Sequence, residues 1–207
     1  MMKNYSWKLR DIIMVAMLCV VFGVIYLGGV YVASFLGAVL APAGLAPLGN
    51  EIVFGVWFMV STLAACILQK PGVAVISEIL AALIEVLMGN MYGPMVIVSG
   101  IIQGAGAEIV FALHGYKKYD MRTMCFAAAG CCATSFVWSF FRSGYGLLAP
   151  GLLAAMFLIR LTGSVLLSGV LCRLMGDGLA KTGLLKGYAL GKSCALGKDC
   201  APGKSRA

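Results

Sequence analysis

The chain has 207 residues, of which 61% are hydrophobic and only 12% charged, with a mean hydropathy of +0.97. A soluble domain carries about 25% charged residues, so this composition excludes a soluble globular protein and describes an integral membrane protein. The formal net charge of +8 reports membrane topology, as the positions of the basic residues show, and no nucleic-acid partner is expected from it.

A membrane-crossing helix takes roughly 20 mostly apolar residues. Six runs answer to this, at about 11–33, 51–69, 72–88, 94–114, 122–141 and 152–175. The predicted fold class is therefore an all-α integral membrane protein with six transmembrane helices. The first run is too long, and too free of a small-residue cleavage site, for a removable signal peptide. The stretch 34–50 is rich in Gly and Pro, carries no charge before Glu51, and is expected to fold back against protein or membrane. "QKPGV" (69–73) and "GNMYGP" (89–94) are tight-turn signals. "HGYKKYD" (114–120) is a basic, polar bend, and "RSGYGLLAPG" (142–151) links the last two runs.

Residues 1–175 form the six-helix membrane domain, and 176–207 a basic, Gly-rich tail with the short repeat "ALGKSC", "ALGKDC", "APGKSR". The tail is expected in the cytoplasm near anionic lipid. With the N-terminus inside, Lys3, Lys8, Arg10, Lys70, Lys117, Lys118, Arg122, Arg173, Lys181, Lys186, Lys192, Lys198, Lys204 and Arg206 all fall on the inner side. Arg142 alone lies in an outer loop, and Arg160 lies within the sixth run. This bias places both termini in the cytoplasm of a multi-pass protein of the cell (plasma) membrane, a prokaryotic cytoplasmic membrane.

Two features tempt and fail. "GYALGKS" (187–193) resembles a phosphate-binding loop, but such a loop needs four residues between its first Gly and the Gly-Lys pair, and here three separate Gly187 from Gly191. The second Gly-Lys-Ser, at 203–205, has no better context. ATP hydrolysis is therefore expected in separate partner subunits. The cysteines are read as thiols: Cys19, Cys66, Cys125, Cys131, Cys132 and Cys172 as small apolar groups within the spans, Cys194 and Cys200 facing a reducing cytoplasm. No zinc spacing, Ser/His/Asp arrangement or other metal-ligand set is present, so no catalytic residue, metal or cofactor is expected.

The informative residues are acidic. Asp11, Asp120, Asp177 and Asp199 lie at span ends or in the tail, whereas Glu51, Glu78, Glu85 and Glu108 lie within or at the mouths of spans. An ionisable group there costs a few kcal/mol and marks function by default. Arg160 is the one buried basic candidate, so pairing within the chain cannot neutralise them all. Glu78 and Glu85, seven residues apart, share one helix face about 10 Å apart along its axis, with Ala81 and Ala82 leaving room beside them. Glu85, Glu51, Asn90, Tyr92, Trp138, Arg142 and Tyr145 all fall near outer span ends and are expected around one outward-facing cavity, with Gln103 near mid-membrane. Gly100, Gly104 and Glu108 repeat at four, a spacing that lets helices approach closely. Glu78 and Glu108 are expected behind the ligand contacts, sharing a proton or with one of them reaching Arg160. His114 is read as interfacial. Excess carboxylates with aromatic side chains suit a flat, cationic guest.

The stretches "FGVWF" (54–58), "QKPGVAVISEILAALIEVLMGN" (69–90), "GPMVIVSGIIQGAGAE" (93–108), "SGYGLLAPG" (143–151) and "TGLLKGYALGK" (182–192) resemble the YkoE family of substrate-binding S components of energy-coupling factor (ECF) vitamin transporters. The resemblance implies six membrane helices and high-affinity binding of thiamine or its hydroxymethylpyrimidine precursor. It also implies docking to a membrane T component and two ATPase subunits. Residue type and depth then assign Glu85 and Glu51 to polar or ionic contact, Asn90 and Gln103 to orientation, and Trp57, Trp138 and Tyr145 to ring packing, with Tyr92 beside them. S components often dock through an Ala-x-x-x-Ala surface on the first helix. Here Ala16 is followed four residues later by Val20, so Ala16 with Cys19 is the expected substitute. The competing reading is a stand-alone cation-coupled secondary transporter of a small cationic metabolite, with Glu78 or Glu108 as proton relay; no clear internal repeat of the kind such carriers show is visible.

Overall fold

The structure, a computed structural model, describes residues 6–195. The predictions on Lys3, Lys198, Lys204, Arg206, Asp199, Cys200 and the Gly-Lys-Ser at 203–205 lie outside the described residues. Nine α-helices make up most of the described chain: α1 (Leu9–Leu40), α2 (Ala46–Val53), α3 (Met59–Leu68), α4 (Val73–Leu87), α5 (Met95–Leu113), α6 (Met121–Arg142), α7 (Pro150–Ser164), α8 (Cys172–Lys181) and α9 (Ala189–Ala195). No strand occurs among the described residues.

Among the described residues, five segments are long and apolar enough to cross a membrane: Leu9–Ala43, Ala46–Leu68, Met95–Leu113, Met121–Arg142 and Pro150–Lys181. The expected third span falls short. Gly72, at φ +81°, starts α4 late, and Gly89, at φ +90°, stops it early. Its 15 residues reach about 22 Å, against a hydrocarbon core of about 30 Å.

The first helix is longer than its sequence predicts. It runs through Gly37 to Leu40, and the fold-back begins only at Ala41–Ala43, where Pro42 opens a 3₁₀ turn closed by Gly44 at φ +72°. The chain then returns along α1. A Cβ on Gly49 would sit 2.3 Å from the Gly37 nitrogen, so only glycine permits this crossing.

Two irregular stretches complement one another. Phe54–Phe58 is 3₁₀, between α2 and α3, and Val165–Leu171 is π-helical, between α7 and α8. Freed backbone groups within a membrane must be satisfied by neighbours. Here Ser168 Oγ donates to the Phe58 carbonyl at 2.8 Å, and Thr62 Oγ1 donates to the Ser168 carbonyl at 2.9 Å. Gly55 fits against the Gly163 carbonyl, which a Cβ would approach to 2.5 Å.

The turns at 41–45, 88–94 and 143–149 share one end of the bundle, called upper here. The turns at 69–72 and 114–120, the start of α1 and the end of α8 share the lower end. Lower-end contacts tie these together: Lys70 Nζ meets Asp11 at 2.6 Å, and the Tyr188 hydroxyl donates to the Arg10 carbonyl at 3.1 Å. The described part of the tail packs on the bundle, with Leu185 and Leu190 buried. Gly191 lies so close to Leu185 that a Cβ would stand 1.9 Å from its carbonyl oxygen. Of the described cysteines, Cys19, Cys66, Cys125, Cys131, Cys132 and Cys172 are free.

Candidate functional site

The α4–α5 seam positions the site. Gly100 and Gly104 of α5 rest on α4 at Glu78, where a Cβ on Gly100 would come 3.2 Å from the Glu78 carbonyl and one on Gly104 3.2 Å from the Glu78 Cβ. Small residues at a spacing of four allow this approach. It also brings Gln103, on the same turn of α5, level with Glu78. On the other side of α5, Gly106 meets Gly130 of α6 backbone to backbone, 2.6 Å from a built Cβ to the carbonyl.

Between these helices, α1 and the α2–α3 break lies a cavity of about 360 Å³ in the upper half of the bundle. Small-molecule sites run from about 300 to 1,000 Å³. Its wall includes Trp57, Glu85, Tyr92, Gln103, Trp138 and Tyr145, six of the residues the sequence singles out. Tyr26, Asn50, Phe54, Ser99 and Arg142 complete much of the rest. Below Glu78 the interior is solid: Leu63, Cys66, Ile67, Phe111, Met124 and Leu190 are all fully buried.

Glu85 is held but not saturated. Its Oε1 accepts from Asn90 Nδ2 at 2.6 Å and, at the long distance of 3.4 Å, from Trp57 Nε1. Its Oε2 is buried with no hydrogen-bond partner. Asn90 Oδ1 in turn accepts from the Tyr92 amide at 2.8 Å. Asn90 thus stands behind Glu85, off the cavity wall, and fixes both the carboxylate and the turn carrying Tyr92. Trp138 is oriented by donating Nε1–H to Ser99 Oγ at 2.9 Å.

Glu51 is corrected. It is fully buried and off the cavity wall, as the counter-ion of Arg160. Arg160 Nε donates to Glu51 Oε2, Nη2 donates to Oε1 at 2.6 Å, and the Tyr145 hydroxyl donates to the same Oε1 at 2.7 Å. Arg160 Nη1 donates to Ser135 and Ser139, and its guanidinium lies 3.6 Å from the Phe54 ring centroid. A carboxylate satisfied this fully has little left for a guest. Its effect on the cavity passes through Tyr145 and Phe54, which do line it.

Glu78 and Glu108 part company. Glu108 accepts from the Gly72 amide at 2.5 Å, the Ala74 amide at 3.2 Å and the Tyr116 hydroxyl at 2.9 Å. It serves as an anionic cap on the α4 N-terminus, where the helix dipole favours negative charge. No hydrogen bond joins it to Glu78 or Arg160 among the described residues. Glu78 instead reaches the cavity wall, with the Tyr26 and Ser61 side chains meeting its carboxyl. Depth alone made these two look equivalent; the turn at 114–116, which brings Tyr116 onto Glu108, separates them. Arg160 is also not the only buried cation: Arg173 is buried, 3.0 Å from Asp177. Ala16 is exposed on α1, but Cys19 points inward, its Sγ 3.2 Å from the Ser77 carbonyl, so the two do not form a shared small surface.

A family model described as the permease component of an ABC-type cobalt transport system matches residues 10–136. The "Putative HMP/thiamine permease protein YkoE" of Bacillus subtilis (strain 168) is 44% identical over 187 residues, covering 90% of this chain and 92% of that protein. A crystal structure of an S component of an ECF transporter matches with a TM-score of 0.88 and 42% identity, covering 93% of this chain and 95% of that one. Sequence and fold agree along nearly the whole length, and with the cavity they lead to one conclusion: the chain belongs to the YkoE family of S components of ECF transporters.

Proposed function

We propose that the cavity captures thiamine or its hydroxymethylpyrimidine precursor from outside the cell. The observation that carries this reading is the Glu85 Oε2, buried and unpartnered in a wall that also holds Trp57, Tyr92, Trp138 and Tyr145. A carboxylate without a cation is costly in a membrane interior, and a positively charged guest supplies the missing partner while aromatic faces attract it further. A relative 44% identical bears the name of a putative HMP/thiamine permease, which supports the same guest. The cavity wall, as described, includes no histidine and no cysteine, the side chains a divalent transition metal prefers; a cobalt ion is the weaker candidate.

In this reading the lower end faces the cytoplasm, since Lys70, Lys117, Lys118, Arg122, Lys181 and Lys186 lie there. The upper mouth then faces out. Helix α4 completes a six-crossing bundle despite its length, its ends extended by the turns at 69–72 and 88–94, and both termini are cytoplasmic. Energy for transport comes, in the same reading, from a membrane T component and two ATPase subunits; the loop-like signal among the described residues, Gly191-Lys192, lies in α9 with its glycine wedged against Leu185.

The test is titration of the purified protein followed by tryptophan fluorescence. Thiamine quenches at sub-micromolar concentration, a binding free energy of about −8 kcal/mol or stronger. Glu85→Gln weakens it at least tenfold. Unchanged affinity in that variant removes Glu85 from the site.

A further inference from the structure

Helix α3 is enclosed along its whole length: all ten of its residues, Met59–Leu68, are buried. A helix close-packed on every side has little room to move sideways, and the displacement left to it is along its own axis. Its upper end continues from the 3₁₀ stretch Phe54–Phe58, and two side chains of that stretch, Phe54 and Trp57, line the cavity. Its lower end stops at Gln69, at φ +52°, and the next residue grips α1: Lys70 Nζ donates to Asp11 at 2.6 Å and to the Ser6 carbonyl at 2.6 Å. The tail presses on the same end. Leu190 is fully buried against Gly176 of α8, where a Cβ would stand 3.1 Å from Leu190 Cδ2, 3.5 Å from Cys66 Sγ and 3.9 Å from Leu63 Cδ1 of α3. One element thus has one end in the cavity and the other under a clasp, Lys70–Asp11, and a strap, residues 183–195.

The 3₁₀ stretch is the part that can change length. Its five residues rise about 10 Å at 3₁₀ spacing and about 7.5 Å at α spacing. Trp57 Nε1 lies 3.4 Å from Glu85 Oε1, a hydrogen bond with slack in it. Glu85 stands near the upper end of α4, so closure of Trp57 and Phe54 on a guest there draws the stretch upward and towards α spacing. The flank of α3 tolerates such a slide. Thr62 Oγ1 lies 2.9 Å from both the carbonyl and the hydroxyl oxygen of Ser168 and 3.2 Å from the Phe58 and Met59 carbonyls, and so keeps an acceptor as the helix shifts. Resting on the functional reading above, we propose that α3 is a piston that carries filling of the cavity to the cytoplasmic end. Its rise, by up to about 2.5 Å, takes Lys70 off Asp11 and loosens the seat of Leu190. The loaded protein then presents the cytoplasm with a lower end unlike that of the empty one, a mark by which partners on that side tell the two apart.

Hydrogen exchange read by mass spectrometry, with thiamine binding followed separately by tryptophan fluorescence, tests this. Saturating thiamine is expected to speed amide exchange in 183–195 at least fivefold. Lys70→Ala opens the clasp without a guest and leaves Asp11 beside Arg10, 3.7 Å away. Exchange of the strap in this variant is expected to be fast with or without thiamine. Coupling between two sites is reciprocal, so a clasp that thiamine must open is one whose removal tightens thiamine binding, here by at least threefold. A merely structural loss at the lower end leaves affinity unchanged or weakens it. Thiamine that binds the unaltered protein but leaves exchange in 183–195 as it was overturns the piston without any variant, and the functional reading stands. So does unchanged or weaker thiamine binding in Lys70→Ala. If the unaltered protein binds neither thiamine nor hydroxymethylpyrimidine, the functional reading itself fails, and the piston with it.

Discussion

Arg160 shows how a buried charge can act on a site it does not touch. Its guanidinium is fully enclosed and holds Glu51, Ser135 and Ser139 at once, with Phe54 across its face. Removing one partner of such a pair strands the other charge and costs about 3–5 kcal/mol, whereas replacing both with apolar groups can be nearly neutral. Arg160→Met is therefore expected to lower thermal stability in detergent sharply, and the double variant Glu51→Leu/Arg160→Met to recover most of the loss. A double variant as unstable as the single would show that the pair holds the fold by more than mutual neutralisation. At this scale the sequence told that four glutamates needed an account, but not which account each one has. Glu51 finds its cation on a helix 109 positions away, and no local pattern announces a partner at that distance. Glu85 and the aromatic residues were legible because each sits near a span end on one side, and depth can be counted along a helix.

Among the elements, α4 depends most on its neighbours. It is short, apolar and started by a glycine, and no side chain of its own caps its N-terminus. Glu108 supplies the missing acceptor from α5. Glu108→Ala is expected to cost about 1–2 kcal/mol, the usual range for a lost cap, seen as a lower unfolding temperature with thiamine affinity within about twofold of the unaltered protein. A large loss of affinity at constant stability would move Glu108 into the site. The turn signals "QKPGV" and "GNMYGP" located both ends of α4 in the sequence. Hydropathy nevertheless counted it as a full span, because apolar character continues past the residues that keep helical dihedrals. The 3₁₀ and π stretches escaped notice for a different reason: Ser168 of the π stretch donates to the Phe58 carbonyl of the 3₁₀ stretch, while Thr62 of α3 donates to the Ser168 carbonyl, and that pairing is tertiary.

At the scale of the molecule, the sequence made the all-helical membrane class and the clustering of ligand-type residues at one end plain, because both follow from composition and from counting along apolar runs. What it left out is the floor: packing of Gly100 and Gly104 on α4 decides that Glu78 faces the cavity rather than a neighbouring helix. A coupled carrier and a capture subunit differ at this scale. In proteoliposomes holding the isolated chain, a proton gradient alone is expected to produce no accumulation of labelled thiamine inside, although the protein retains it in binding assays. Gradient-driven accumulation would favour the stand-alone carrier.

The buried layer on the lower side of the bundle, Leu63, Cys66, Ile67 and Met124 among it, leaves the described cavity a vessel with its door at the upper rim. Whatever enters through the upper rim meets packed side chains among the described residues beneath it, so delivery to the far side is expected to tip the whole container over or to pry its rim apart from outside. On the proposed reading, cargo release is expected to be work done on the protein by another machine, the chain's own share being to hold fast until that happens.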